Sequence, residues 1–426
     1  MSANSAKCKF ILLRIDVNSA VSEGRILDSP RFSESARTIK KLLGQRAKLV
    51  IIAHQGRKGG RDFTGLRQHA RLLSRHAGRR IEYVDELFGD RALERIDRLN
   101  NGEAILLKNV RAYDDEIHPK AKNNRFIEFS RLFELYVNDA FSDSHRKHSS
   151  IIIPPRYIKS VLSDNFLNEV RKLDEFALHK GFNNTTIILG GEKVEDYLPL
   201  LRFLENKTNR IIAGGIIGNL FLKIEGHALG YEDIWMKKHG YLKLLKSLSR
   251  IYWKHRQQII LPVDFALSGE RRKEMSLSKA PFKKKIMDIG RESAELFKAE
   301  LNSAKRIIMK GPLGFSEFKN YKYGTEEILR YLSYLHSKKG IPVLIGGGHL
   351  TATAYQDKSL RFTHISPAGG ATIAYLTGGE NKLPGLLTVK NSKFNKINKK
   401  RKIKILFFSG SLHVTKALRA REGMYD

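Results

Sequence analysis

Short apolar segments alternate with amphipathic segments along most of the chain. In the first half, helical periodicity at Ser33–Leu43 and Leu66–His76 separates apolar segments at Lys9–Val17, Leu49–Ala53, Ile81–Val84, Ala104–Leu107 and Leu135–Val137. Strands that alternate with helices in this way are typical of a parallel sheet that is covered by helices on both faces. Because ligands bind beyond the carboxyl ends of such strands, the residues that follow each strand indicate the site.

Basic and polar side chains follow the predicted strands of the first half. They are Arg14, Asp16 and Asn18 after the first strand, Arg31 after the next turn, His54 and Arg57 after the second strand, Arg111 after the fourth, and Arg146 after the fifth. Arginine and histidine at one edge of a sheet suit a small substrate that carries phosphate and carboxylate groups. The first half therefore predicts an anion-binding site.

Glycine takes the place of arginine in the second half. The predicted strands are Thr185–Leu189, Arg210–Ala213, Ile259–Pro262, Arg306–Met309, Pro342–Ile345 and Thr363–Ser366. Glycines follow most of them, at Gly190-Gly191, Gly214-Gly215, Gly311, Gly346–Gly348 and Gly369-Gly370. Glycine lets the backbone approach a bulky ligand, and a helix that starts there presents unpaired N–H groups to a phosphate. The pattern favours a nucleotide, although the chain has no P-loop motif and no motif for a dedicated metal cage.

The segment between the two halves, Arg156–His179, has helical periodicity and no glycine. We expect a substrate domain at residues 1–155, a connecting helix at 156–182, a nucleotide-binding domain at 183–387 and a basic extension at 388–426. The extension is dominated by Lys, Arg and Asn at Lys390–Lys404. A solvated tail, a docked strand and an arm that binds polyanions all stay open for it.

Of the 426 residues, 41% are hydrophobic and 28% are charged, which is a composition typical of globular proteins. No apolar run approaches the length of a membrane span, and the single cysteine, Cys8, excludes an internal disulfide framework, so we expect a cytoplasmic protein without a membrane partner. The net charge of +33 has two interpretations. It can attract the protein to nucleic acid, or it can belong to a solvated surface on which some of the charge serves an anionic substrate. The basic residues are spread over many helices, which favours the second interpretation and makes nucleic acid an unlikely partner that stays open.

A series of motifs runs through the chain in a fixed order. They are RIDVN (Arg14–Asn18), AHQGR (Ala53–Arg57), LLKNVR (Leu106–Arg111), YVNDAFSDSHRKHSS (Tyr136–Ser150), LGGEKVED (Leu189–Asp196), LPVDFA (Leu261–Ala266), DIGRES (Asp288–Ser293), KGPLG (Lys310–Gly314), IGGGH (Ile345–His349) and HISPAGGA (His364–Ala371). From about Phe10 to Leu387 this order resembles the phosphoglycerate kinase family, and the GEK, LPVDFA and GGGH forms resemble its archaeal branch.

The resemblance implies two doubly wound, Rossmann-like α/β domains joined by a helix. It also implies reversible phosphoryl transfer between 1,3-bisphosphoglycerate and ADP, giving 3-phosphoglycerate and ATP, as in glycolysis and gluconeogenesis. The implied substrate-binding residues are Asp16, Asn18, Arg31, His54, Arg57, Arg111 and Arg146, of which Arg31 would contact the transferring group. On the nucleotide side the resemblance implies Lys193 at the transferring group, Gly214, Gly215 and Leu313 at adenine, Glu317 at ribose, and Gly346, Gly347, Gly348, Gly369 and Gly370 at the phosphates.

Several positions depart from the pattern of bacterial and eukaryotic relatives. Tyr197 stands where a second lysine is expected, Lys310 where an asparagine is expected, and Lys108 where a glutamate is expected. His349 stands where an aspartate would hold magnesium. We therefore expect Mg²⁺ to be held mainly by the phosphates of ATP or ADP and by water, with no protein metal ligand and with His349 near a phosphate oxygen. A catalytically weakened protein that binds RNA or another polyanion on the same fold is the alternative.

Overall fold

A computed structural model describes residues 9–181, 184–204 and 210–394 of the chain. It confirms the predicted α/β class, because each half of the chain contains a six-stranded parallel sheet. The predicted basic extension lies outside the described residues from residue 395 onward. In the part of the chain that is described, no helix is both long and apolar enough to cross a membrane.

In the first half, the strands at the centre of the sheet are buried on both faces, whereas those at its edges are partly exposed. The strands are β1 Phe10–Arg14, β2 Val21–Ser22, β3 Arg25–Ile26, β4 Lys48–Ile52, β5 Ile81–Val84, β6 Ala104–Leu107, β7 Leu135–Asn138 and β8 Lys159–Leu162. The helices are α1 Pro30–Gly44, α2 Arg67–Ala77, α3 Asp90–Asp97, α4 Phe126–Arg131, α5 Ser149–Ile152, α6 Pro154–Tyr157 and α7 Asp164–Asp174. The sheet order is β5-β6-β4-β1-β7-β8, and β2 and β3 form a separate antiparallel pair. Neighbouring residues Leu12 and Leu13 enter separate apolar cores on the two faces.

The second half repeats this arrangement. Its strands are β9 Thr185–Leu189, β10 Arg210–Ala213, β11 Ile259–Ile260, β12 Asp264–Leu267, β13 Lys273–Ser276, β14 Ile286–Ile289, β15 Arg306–Lys310, β16 Val343–Gly346 and β17 His364–Ser366. Its helices are α8 Leu198–Phe203, α9 Gly215–Ile224, α10 Tyr231–Lys238, α11 Leu245–His255, α12 Arg291–Leu301, α13 Tyr323–Lys339, α14 Gly348–Gln356, α15 Gly369–Gly378 and α16 Pro384–Lys390. The parallel sheet has the order β11-β10-β9-β15-β16-β17, and β13-β12-β14 form a small antiparallel sheet that sequence analysis did not predict.

The segment between the two sheets differs from the predicted single helix over Arg156–His179. Its first two residues end helix α6, strand β8 then pairs with β7 at the edge of the first sheet, and only after that does helix α7 begin. The Ser163 side chain caps α7 by accepting a hydrogen bond of 3.1 Å from the backbone N–H of Phe166, so the helix starts after the strand. The domain limits that we predicted stay a prediction.

Helix α7 contacts the second half through two carboxylates. Glu169 accepts hydrogen bonds from Ser366 and bonds to His364 at 2.7 Å, and Asp174 accepts a bond of 2.6 Å from the Tyr375 hydroxyl. The last described helix, α16, returns to the first half, where the N–H of Gly385 donates to the carbonyl of Ser144 at 2.9 Å. The two halves are therefore joined both by α7 and by the C-terminal end of the described chain.

The glycines after β9 allow the backbone to contact the segment after β15 directly. The Gly190 N–H donates to the Lys310 carbonyl at 2.9 Å, and the Gly191 N–H donates to the Pro312 carbonyl at 2.6 Å. A Cβ atom on Gly190 would lie only 2.2 Å from the Pro312 carbonyl oxygen. Any other residue at position 190 would separate the two strand ends.

We predict that Gly190→Ala lowers the free energy of unfolding by about 1–3 kcal/mol, because the added methyl group overlaps a backbone carbonyl that cannot rotate away. Gly44→Ala is the control, since nothing lies within 4 Å of a Cβ atom there and alanine favours a helix. Urea denaturation of both variants measures the effect. An equal stability for the two variants would contradict the packing described here.

Candidate active site

The carboxyl ends of the two sheets meet at Arg31. One guanidinium nitrogen donates to the Pro367 carbonyl of the second half at 2.7 Å, and the other lies 3.3 Å from the Ser142 hydroxyl. The same side chain forms an ion pair with Asp16. Burial lowers the pKa of Arg31, against the attraction of nearby carboxylates, so the residue spans the cleft as a poorly hydrated cation.

A cavity opens around this contact between the halves. It is lined by Asp16, Arg31, Glu34, Phe141, Glu169 and Pro367 among others. Residues from both halves of the chain therefore border one space.

A buried carboxylate, Asp143, organises the first half of the site. Arg14 donates to it at 3.0 Å, and the His54 Nδ1 and Arg111 Nη2 atoms lie 3.0 and 3.4 Å from its oxygens. Arg14 is fully buried and also bonds to Ser150 at 3.0 Å and to the Ile15 carbonyl. Asp143 was not among the predicted site residues, and Arg14 was noted without a role. Asp143 lies within the motif Tyr136–Ser150, but the sequence does not show which strand ends it contacts.

The electrostatics of this cluster favour an anion. Burial alone would raise the pKa of Asp143, but His54 and Arg14 hold it well below its usual range, so the carboxylate stays charged. Burial lowers the pKa of His54 to about 4, so its imidazole is neutral near pH 7. Burial lowers the pKa of Arg111 only to about 10, so the guanidinium stays charged. Asp143 carries one negative charge against the two positive charges of Arg14 and Arg111.

Among the described residues, Asp16, His54 and Asp143 place possible metal-ligand atoms within 4.8 Å of one another. Both carboxylates already pair with arginines, Asp16 with Arg31 and Asp143 with Arg14 and Arg111. A cation would have to displace these arginines while remaining beside them. The chemistry of the cluster therefore fits a bound phosphate or carboxylate better than a metal ion.

The remaining predicted residues of the first half lie around this cluster. The Asn18 side chain accepts a bond of 2.8 Å from the Gly56 N–H, and Arg111 donates to the Gly56 carbonyl at 2.6 Å. Arg146 is half-buried and lies 3.2 Å from a nitrogen of His145, whereas Arg57 is exposed. The structure thus gathers Asp16, Asn18, Arg31, His54 and Arg111, with Arg57 and Arg146 outside the network of direct bonds.

In the second half, glycine loops form the edge of the cleft. The Gly215 N–H donates to the Leu313 carbonyl at 3.2 Å, and a Cβ on Gly214 would lie 2.6 Å from the Leu313 side chain. This contact places Gly214, Gly215 and Leu313 together, as the resemblance implied. Glu317 is exposed a few residues further on.

Two helices begin at the glycines after β16 and β17. Gly347 has a φ of +100°, which favours glycine, and α14 starts at Gly348 with His349 exposed in its first turn. Helix α15 starts at Gly369, directly after the Pro367 carbonyl that Arg31 contacts. Lys193 is exposed after β9. The N–H groups of both helix starts are suited to bind phosphate.

Comparisons with known proteins find relatives over most of the chain. A family model described as phosphoglycerate kinase matches residues 1–379. A phosphoglycerate kinase of Archaeoglobus fulgidus is 36% identical over 392 residues, which are 90% of this chain and 94% of that protein. One of Methanothermobacter thermautotrophicus is 34% identical over 400 residues, 90% of this chain and 95% of that protein. The crystal structure of phosphoglycerate kinase from Pyrococcus horikoshii superposes with a TM-score of 0.81 at 30% identity, covering 90% of this chain and 96% of that one.

We predict that Asp143→Asn lowers the free energy of unfolding by about 3–5 kcal/mol, because it leaves buried Arg14 without its carboxylate partner. Asp114→Asn, which removes an exposed partner of Lys58, should leave the denaturation midpoint unchanged. Chemical denaturation at pH 7 measures both. If the two variants unfolded alike, Asp143 would not organise the cluster.

Proposed function

The chain belongs to the phosphoglycerate kinase family, and we propose that its facing half-sites transfer a phosphoryl group between 1,3-bisphosphoglycerate and ADP. One observation carries this assignment of the site. Arg31, which belongs to the anion-binding half, lies 2.7 Å from the Pro367 carbonyl beside the start of α15 in the glycine-rich half. A phosphoryl group held at this point would touch both halves. The alternative, a decayed protein that binds polyanions, finds no support in the relatives.

The first half binds 3-phosphoglycerate in this proposal. Arg111 and the nearby Arg146 supply positive charge, and the amide of Asn18 is oriented by Gly56. His54 contributes a hydrogen bond without charge, since its imidazole is neutral at physiological pH. Asp143 keeps Arg14 and Arg111 in place, so the groups that meet the substrate are preorganised and need little rearrangement.

The second half binds the nucleotide. Gly214, Gly215 and Leu313, which pack together, would border the base, and the exposed Glu317 would accept bonds from ribose. The helix starts at Gly348 and Gly369 direct backbone N–H groups at the phosphates.

Transfer itself requires positioning and charge neutralisation. Arg31 bonds to Asp16 and to the Pro367 carbonyl, and we infer that oxygens of the transferring group replace the carbonyl. Lys193 approaches the same group from the nucleotide side. The acceptor is already a carboxylate or phosphate oxygen, so no side chain has to remove a proton from it.

Magnesium is proposed to enter as part of the nucleotide substrate. In the described residues the only trio of potential ligands belongs to the arginine-rich half, and His349 rather than a carboxylate follows the glycines of the phosphate loop. In this proposal the phosphates and water supply most of the oxygen ligands of the ion. With one cysteine and metabolites as ligands, we place the protein in the cytoplasm.

We expect Lys193→Ala to lower turnover about 10²–10³-fold while 3-phosphoglycerate binding stays nearly unchanged, because the charge acts on the transferring group from the nucleotide side. Lys120→Ala, an exposed lysine of the first half, is the control. A coupled assay of ATP formation from 1,3-bisphosphoglycerate and ADP gives turnover, and calorimetry gives substrate affinity. Loss of 3-phosphoglycerate binding with turnover retained would reverse the assignment of the two halves.

His349→Asp should make activity saturate at a lower Mg²⁺ concentration, since a carboxylate in the first turn of α14 supplies an oxygen ligand that the imidazole does not. Titrating Mg²⁺ at fixed nucleotide concentration in the same assay measures the change. An unaltered Mg²⁺ dependence would show that position 349 does not face the phosphates.

A further inference from the structure

Two of the departures from the family pattern contact each other. The Tyr197 hydroxyl donates to the carbonyl of Lys310 at 3.0 Å and to the carbonyl of Gly190. The Lys310 ammonium lies 4.6 Å from the centre of the Tyr197 ring. Position 197 therefore has a tyrosine instead of the expected lysine. The ammonium of Lys310, on the neighbouring strand β15, lies over the ring of this tyrosine.

The stem of Lys310 is held between two of the glycine loops. Its carbonyl accepts the Gly190 N–H on the β9 side, and its backbone pairs with Gly346 on the β16 side. A Cβ on Gly347 would lie 3.8 Å from the Lys310 Cγ atom. The side chain thus leaves the sheet beside the loops that are suited to phosphate.

Lys310 is nearly buried, with 7% of its surface exposed. Its only carboxylate neighbour in the described chain is Asp196, which is too far away for a good hydrogen bond. The Asp196 oxygen lies 3.6 Å from the ammonium, and the Asp196 side chain is 43% exposed, so water screens the attraction. An ammonium has three donors, and this geometry leaves donors for a further acceptor. A buried cation with a weak partner at the edge of a ligand cleft suits an anionic ligand.

We propose that Lys310 binds a phosphate group of the nucleotide and supplies from β15 the positive charge that the chain lacks at position 197. The proposal rests on the proposed function, because it takes the glycine-rich half as the nucleotide site. It adds a residue to that site which the resemblance did not assign.

The environment of Lys310 gives the proposal a pH signature. Burial lowers the pKa of Lys310 to about 8; Asp196 opposes this shift and Lys193 adds to it. These two residues lie on the segment after β9, whereas the facing loop Gly346–Gly348 carries no charged side chain. A bound phosphate would favour the protonated form, so ADP affinity should fall as pH rises from 7 to 9.5 and the free ammonium loses its proton.

The test is direct titration of ADP, without turnover, into the full-length protein and its variants. Lys310→Met should weaken ADP binding about 10–100-fold at pH 7 and flatten its pH dependence, with 3-phosphoglycerate affinity unchanged. Lys338→Met, at an exposed lysine near the end of α13, should leave both affinities unchanged. The double variant Tyr197→Lys/Lys310→Asn should recover most of the lost ADP affinity, which a purely structural role of Lys310 would not allow.

Amine labelling of the wild-type protein provides a test that needs no substitution. ADP should protect Lys310 from acylation, as read by mass spectrometry, and 3-phosphoglycerate should not. Unchanged ADP affinity in Lys310→Met, or labelling of Lys310 that ADP does not reduce, would overturn the proposal. If the proposed function itself were wrong, the wild-type protein would form no ATP from 1,3-bisphosphoglycerate and ADP, whatever the outcome at Lys310.

Discussion

The need to neutralise one buried carboxylate determines the arrangement of the substrate half. Asp143 follows β7, and its partners Arg14, His54 and Arg111 follow or end β1, β4 and β6. These strands are neighbours in the sheet order β6-β4-β1-β7, so one side chain ties four adjacent strand ends together. Two guanidinium groups meet one carboxylate, and burial keeps His54 neutral. The cluster therefore keeps an excess positive charge, which an anionic substrate can neutralise.

The glycine-rich half is suited to bind anions through backbone N–H groups, whereas the first half uses charged side chains. The loops of the glycine-rich half approach so closely that Gly190 and Gly214 have no room for a side chain, and in the proposed function the N–H groups at the starts of α14 and α15 bind the phosphates. Lys310 and Arg31 are the cations placed within or against this glycine surface. A half rich in arginine thus faces a half rich in glycine, and each suits a different phosphorylated ligand.

Most of the fold could be predicted because buried parallel strands are short apolar runs. Strands β5, β6, β9 and β10 have the predicted limits, whereas β8 was assigned to a helix, because its mixed residues Lys159–Leu162 at a sheet edge lack an apolar run. The antiparallel strands around β12 were missed for a related reason, since β13 is only partly buried and carries charged residues. Sequence motifs singled out Arg31, His54 and Arg111, which the structure brings to the same end of the first sheet. They did not identify Asp143 or Lys310, whose roles depend on neighbours from other strands.

In the proposed function, Arg31 joins the two half-sites at the transferring group. A crystal structure of the chain with 3-phosphoglycerate and a non-hydrolysable ATP analogue would show this contact. We expect 3-phosphoglycerate beside Arg111 and His54, the analogue's phosphates at Gly348 and Gly369, and the Arg31 guanidinium within hydrogen-bond distance of its terminal phosphate. A structure with both ligands bound and Arg31 still paired only with Asp16, Ser142 and the Pro367 carbonyl would contradict this role of Arg31.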